Sequence, residues 1–334
     1  MKAVMFHQHG GLENIEVTDI AVPEPRDHEC LIKVAAVSLN GFDPMVLRGI
    51  PGLKTPLPMI PGADFAGEIV KLGNSVDTET WSVGDRVSAN PSQSDGMMGE
   101  TKWGACCEYV CVEEEYLLAV PDKVSFADAA CLPTAYGAAF RMMTTRGQVK
   151  SGEKVLILGA SGGVGTCCVQ LAKAVGATVI ACTSSNEKAK KLKTLGADWV
   201  INTTEQDYVK EIIARYGKPS TRHKGGGVDV IVNYTGGETW AKCFRALTLQ
   251  GRLLTCGATA GYDPKTDIRY IWSFEFSIIG SNSWEKSDLV KLLDLVAEGR
   301  LKPCVDSEHS FEQYGQALQL LMDRKVVGKS IIVP

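Results

Sequence analysis

The segment Val155–Gly165, reading VLILGASGGVG, constrains the fold of this chain more than any other. A continuous apolar run leads into small residues. Val164, Cys167, Cys168, Leu171, Ala172 and Val175 then recur at the spacing of one helix face. This is a strand, a tight turn and a helix. Ala160, Gly162 and Gly165 stand at the three positions of the G-x-G-x-x-G dinucleotide turn, with alanine in the first. Gly162 lets a pyrophosphate approach the backbone, and Gly165 lets the helix pack tightly on the strand. Free N–H groups and partial positive charge at a helix N-terminus attract an anion. Ala160, Ser161, Gly162, Gly163 and Val164 are therefore expected around a dinucleotide; the alternative is a bare strand–helix turn.

The alternation continues downstream. Thr178–Cys182, Trp199–Ile201, Val228–Asn233, Arg252–Cys256 and Phe276–Ile279 read as strands, separated by amphipathic helices. With Val155–Gly159 they make six, the doubly wound number, in a parallel sheet covered on both faces. Ser125 is placed to cap a helix through Phe126–Met143. Residues 1–122 read differently: short apolar stretches punctuated by Pro23, Pro25, Pro51, Pro56, Pro58 and Pro61 suggest a small β-barrel or sandwich. In a strand over Gly104–Val112, Cys107, Tyr109 and Cys111 share one face. The tail after residue 280 is too short to fold alone and is expected to return to the first domain. The domains are then 1–122 with 280–334, and 123–279.

Composition excludes several function classes. Net charge is −4 from 35 basic and 39 acidic residues, with no basic run to hold a nucleic-acid backbone. No apolar run reaches the roughly 18 residues of a membrane span, and the N-terminal MKAVMFHQHGG lacks a signal-peptide core. The cysteines number 11, an odd and scattered set that reads as buried thiols in a reducing cytoplasm. The five histidines form no metal-ligand pair.

About 20 residues beyond the turn, an NAD site carries an acid that holds the ribose 2′-hydroxyl. Here the second strand ends in Cys182-Thr183-Ser184-Ser185, without an acid at its tip. Ser184, Ser185 and Lys188 suit a 2′-phosphate, so NADP(H) is the expected cofactor. Ser184 and Ser185 also suit plain helix capping, and Glu187 three residues after Ser184 fits a capping box.

The whole chain resembles the medium-chain dehydrogenase/reductase superfamily, which includes zinc alcohol dehydrogenases, quinone oxidoreductases and enoyl reductases. The resemblance rests on Asn40-Gly41-Phe42-Asp43, Leu57–Gly62, Asp64–Gly67, Val83–Val87, Ala160–Gly165, Leu195–Asp198 and Gly328-Lys329, in family order from end to end. It implies a GroES-like barrel domain and a Rossmann domain, with the active site in the cleft between them. The departures bear on chemistry. Asn40, Ala63 and Thr134 stand where zinc-dependent members place their three catalytic ligands. Pro91–Ala105, where a structural zinc loop would lie, has no cysteine. A catalytic zinc needs three protein ligands, so no metal is expected.

Hydride transfer without a metal favours acceptors that delocalise negative charge: quinones and α,β-unsaturated carbonyls. Asn40 is a candidate donor to a substrate oxygen or ribose hydroxyl. Thr134 is a candidate for the nicotinamide pocket, and Tyr136 the best proton donor by residue type. Lys329 is carried over as a cofactor-side residue. Backbone groups of Gly257 and Ala258 are expected to face the nicotinamide. Asp43 is expected to orient its loop through Arg48 or Lys329. Arg48–Pro58 lacks the tyrosine of some enoyl reductases. The apolar edge strand Phe274–Ile279 predicts a homodimer. The alternatives are a zinc-independent carbonyl reductase or alcohol dehydrogenase, and a non-catalytic NADPH-binding protein.

Overall fold

The computed structural model describes residues 1–334, which form two compact units, Met1–Tyr136 with Glu285–Pro334, and Gly137–Trp284. In the first unit the chain runs β1 (Lys2–Phe6), β2 (Ile15–Asp19), β3 (Glu29–Ser38), α1 (Asp43–Arg48), β4 (Asp64–Leu72) and β5 (Arg86–Ala89). The short β6 (Ser92–Gln93) and β7 (Gly96–Met97), then β8 (Tyr109–Glu113), β9 (Leu117–Ala119) and α2 (Phe126–Ala130), follow. The second unit contains α3 (Gly137–Phe140), β10 (Lys154–Ile157), α4 (Gly163–Ala174), β11 (Thr178–Thr183), α5 (Asn186–Thr194), β12 (Trp199–Asn202) and α6 (Tyr208–Tyr216). It ends with β13 (Val228–Val232), α7 (Glu238–Cys243), β14 (Leu247–Thr255), α8 (Ile268–Ser273) and β15 (Ser277–Gly280). The chain then adds α9 (Lys286–Ala297), β16 (Val305–Ser310), α10 (Tyr314–Met322) and β17 (Lys329–Val333) to the first unit.

The first unit is the GroES-like domain. Its main sheet has the order β16-β17-β3-β4-β5-β9, with β8 also on β3. Long β3 serves two partners along one edge, β8 through Glu29–Lys33 and β17 through Val37–Ser38. Because β17 closes on β3, the C-terminal residues become part of this sheet. Val34, Val37, Phe65, Ile69, Val87 and Ile332 fill its core. The first division between units falls after Tyr136 rather than after residue 122, because α2 packs on β3 and β4 of the barrel sheet. Cys106 and Cys107 are both buried while Tyr109 and Cys111 are half-exposed. The regular strand starts only at Tyr109, so the expected alternation holds for Tyr109 and Cys111 but does not reach back to Cys107.

The second unit is a Rossmann sheet of six strands in the order β12-β11-β10-β13-β14-β15, all parallel. The order reverses between β10 and β13, and ligands bind such sheets at the strand carboxyl ends beside that switch. Leu156, Ile180, Ile231 and Leu253 share one core face with Tyr208, Ile212 and Phe244. Cys167, Cys168, Leu171 and Ala172 are buried on α4, but Val175 is 41% exposed because the helix has already ended in its C-cap. The edge strand is shorter than expected. Phe274 and Phe276 precede it and stack on one another, with Phe276 also against Phe244. Ser125 caps α2 as expected, accepting the Asp128 N–H at 3.1 Å. The helix it starts is not uniform: Leu132–Tyr136 and Arg141–Arg146 are π-helical turns.

Candidate active site and nucleotide site

The GroES-like unit holds a buried polar knot that includes Asn40 and Thr134, two of the three positions that the resemblance matches to zinc ligands. Asp64 lies at the start of β4 and is fully buried. It accepts hydrogen bonds from Asn40 Nδ2 at 2.9 Å, Thr134 Oγ1 at 2.6 Å and the Thr134 backbone N–H at 3.1 Å. Lys329, at the start of β17, donates through Nζ to Asn40 Oδ1 at 2.5 Å and stands 3.8 Å from Asp64 Oδ2. Asn40, Asp64 and Lys329 are each less than 5% exposed. Burial pushes the Asp64 carboxyl above its ordinary value, while Lys329, Thr134 and Asn40 pull it back.

Asp43, the first residue of α1, sits beside the knot. Its Oδ2 caps the Asn40 N–H at 2.7 Å, and its buried Oδ1 has no protein partner. Burial pushes its carboxyl up to about 7, with the Asn40 N–H and Lys329 opposing. Arg48 is not its partner, since the guanidinium contacts Met322 Sδ.

This donor set does not fit zinc. The knot offers amide, hydroxyl and ammonium donors around one carboxylate, and the Lys329 ammonium supplies the positive charge. A Zn²⁺ ion needs deprotonated N, S or O ligands. Ala63 provides none, and no group of three or more His, Cys, Asp or Glu side chains is clustered anywhere. No step is therefore assigned to a metal.

The dinucleotide turn in the Rossmann unit is built the opposite way. Helix α4 starts at Gly163, and its N-cap Gly162 leaves the first N–H groups without a side-chain cap. A Cβ on Gly162 would stand free, with nothing nearer than 3.6 Å. A Cβ on Gly165 would lie 2.5 Å from the Gly159 carbonyl and 2.6 Å from Ala160. The first glycine thus opens the front of the turn and the second closes its back. These features fit a dinucleotide pyrophosphate. Ser161, Gly163 and Val164 are half-exposed around it. Ala160 is not a contact residue: it is fully buried and spends its N–H on the Cys182 carbonyl at 3.1 Å.

Other expected residues fall in different places. Tyr136 is fully buried, with its hydroxyl oxygen accepting the Cys304 N–H at 2.8 Å, and this burial makes it a packing residue with no exposed face from which to donate a proton. Ser185, not Ser184, caps α5, accepting the Lys188 N–H at 3.3 Å. That one-residue shift takes Glu187 out of the capping-box position. Ser184 is exposed, and the buried Thr183 Oγ1 at the tip of β11 has no protein partner. Gly257 and Ala258, exposed beyond β14, line a cavity of about 960 Å³.

One residue escaped the sequence reading. Tyr234 follows β13 at the switch point and donates its hydroxyl to the Gly159 carbonyl at 2.5 Å, 3.6 Å from the free side of Gly162. It ties the fourth strand of the sheet to the dinucleotide turn. Its position just past a central strand end was the available signal.

Residues 26–122 match the alcohol dehydrogenase GroES-like domain family, and residues 163–298 match the zinc-binding dehydrogenase family. Over 339 residues the chain is 31% identical to an NADPH-dependent alkenal/one oxidoreductase, chloroplastic, of Arabidopsis thaliana, covering 100% of this chain and 80% of that one. It is 31% identical to a quinone oxidoreductase of Mus musculus, covering 100% of this chain and 98% of the relative. A solved NAD-dependent alcohol dehydrogenase superposes over 100% of both chains with a TM-score of 0.91 at 33% identity. With its two domain types, its uncapped dinucleotide turn and these full-length likenesses, the chain is an oxidoreductase of the medium-chain dehydrogenase/reductase superfamily, in the quinone oxidoreductase-like branch.

Proposed function

We propose that the protein is a zinc-independent, NADPH-dependent reductase of quinones or α,β-unsaturated carbonyls. The observation that carries this reading is the polar knot, where Lys329 and three hydrogen-bond donors from Asn40 and Thr134 satisfy Asp64. Without a Lewis acid, a simple carbonyl needs a strong hydrogen-bond or proton donor at its oxygen, and the donors of Asn40 and Thr134 are spent on Asp64. A conjugated acceptor spreads the developing charge to a distant oxygen and needs less help. NADPH, when bound, supplies the hydride.

The chain's own groups bind and orient. Ser161, Gly162, Gly163 and Val164 hold the pyrophosphate at the α4 N-terminus. Ser184, Ser185 and Lys188 hold the 2′-phosphate; the Ser185 oxygen accepts the capping N–H, and its hydroxyl proton stays available to a phosphate oxygen. Backbone groups of Gly257 and Ala258 face the nicotinamide. Thr134 keeps acceptor lone pairs after donating to Asp64, so it is the group of the knot that meets the reacting end. Asn40 and Lys329 act as positioning residues, since their bonds to Asp64 and to one another are spent inside. The exposed edge of β15 pairs with a second copy in a homodimer, and eleven free thiols suit a reducing cytoplasm.

The likeness to an NAD-dependent alcohol dehydrogenase favours a second reading, a zinc-independent carbonyl reductase. One experiment separates them. Nucleotide titration by fluorescence is followed by turnover of an enone, a quinone and a simple ketone. Tighter NADPH binding and turnover of enone or quinone are expected. Tighter NADH binding, or turnover of the ketone alone, overturns the first reading.

A further inference from the structure

The cavity beyond β14 carries two arginines that a regular helix would not bring together. Arg141 and Arg146 bound the π-helical turn and both line this cavity of about 960 Å³. On an α-helix, residues five apart point about 140° away from each other, at 3.6 residues per turn. In a π-turn the hydrogen bonds run between residues five apart, which returns such a pair to one face. The Gly147 N–H does bond the Met142 carbonyl, five residues back, at 2.8 Å. Gly147 also makes the turn possible against the sheet, since a Cβ there would lie 2.4 Å from Leu254 Cδ1.

A second observation lies in the wall of the same cavity. Ser281 lines it, is 8% exposed, and its Oγ has no protein partner. A buried hydroxyl without a protein bond calls for a partner from outside the chain, and a ligand's acceptor would supply one. Asp263 also lines the cavity, so its lining residues comprise two arginines and one carboxylate. Arg146 donates Nε to the Gly280 carbonyl at 3.2 Å, which anchors its guanidinium beside Ser281. Burial pushes the Cys256 thiol up to about 12, so it stays neutral and cancels none of this charge.

We propose that this cavity seats an anionic oxygen group, carboxylate or phosphate, carried by the acceptor, with Arg141 and Arg146 as the paired cations and Ser281 as a hydrogen-bond donor. This deepens the proposed function and rests on it: the acceptor is then an acidic enone rather than a neutral one. Guanidinium–carboxylate bonds are the strong, charge-assisted kind.

The test uses a matched pair of enones, acetylacrylate and its methyl ester, with the holoenzyme and with Arg141→Gln and Arg146→Gln. Wild type prefers the acid. Each substitution lowers the acid-to-ester ratio of kcat/KM by about ten- to a hundred-fold, as expected for one charge-assisted bond. Arg141→Lys and Arg146→Lys retain part of the preference, which separates charge from misfolding. Calorimetric binding of levulinate, the saturated acid, weakens in step without any hydride transfer. Equal losses on acid and ester overturn the proposal. So does a rise in the NADPH dissociation constant with an unchanged acid-to-ester ratio, which assigns the cations to the nucleotide. If neither enone turns over while levulinate binding still needs both arginines, the reductase reading fails and the anion site stands. If the ester turns over but levulinate does not bind, the anion site fails and the reductase reading stands.

Discussion

The polar knot of the GroES-like unit and the dinucleotide turn of the Rossmann unit are both concentrations of polar groups, handled in opposite ways. In the knot, Asp64 meets donors from Asn40 and Thr134 with Lys329 alongside, all supplied by the chain. At the turn, the α4 N–H groups have no side-chain cap and Gly162 presents bare backbone. A buried charge that is internally paired serves folding, and removing one partner leaves the other stranded. Donors left open on a rigid scaffold serve a ligand instead. Substitutions in the two regions should therefore separate stability from binding.

The largest effect is expected in the knot. Lys329→Met strands the Asp64 charge and should cost about 3–5 kcal/mol in urea unfolding. A loss below about 1 kcal/mol would mean that Asp64 is already neutral or that water reaches it. Next comes Asp43, whose folded carboxyl keeps its proton up to about 7, against about 3.9 in an unfolded chain. The folded state binds the extra proton, so this contribution is fully present below about pH 4, falls as pH rises, and is gone above about 7. Asp43→Asn should flatten the wild-type decline over that window, by a few kcal/mol at most; an unchanged pH slope of the unfolding midpoint would contradict it.

At the turn the two glycines should part company. Gly165→Ala forces a Cβ into the Gly159 carbonyl and should cost about 1–3 kcal/mol through overpacking. Gly162→Ala meets no clash, and its φ of −79° suits any residue, so stability should stay within about 0.5 kcal/mol. Its nucleotide dissociation constant should rise by about ten-fold, because the methyl occupies the approach to the backbone. If both variants lose only stability, the front of the turn is not a binding surface.

Much of the fold was legible because periodicity is a local signal. Apolar runs and helical spacing marked all six parallel strands, and Gly162 and Gly165 marked the turn between the first strand and α4. Side-chain partners were harder to read, because they are set by tertiary packing. Tyr136 has the residue type of a proton donor, yet packing buries it fully, with the N–H of Cys304, far along the chain, on its hydroxyl oxygen. The cap of α5 moved by one residue because β11 continues through Thr183. Asn40 and Lys329 each stand out in the sequence, but their bond spans the chain and appears only once β17 closes on β3. The π-turn that pairs Arg141 with Arg146 has no sequence signature, since its spacing reads as two unrelated helix faces.

The most direct measurement is NADPH oxidation by an enone in metal-stripped protein with a strong chelator present. Full turnover under chelation, unaltered by added Zn²⁺, is the expected result. Loss of turnover on chelation, restored by Zn²⁺, would contradict it.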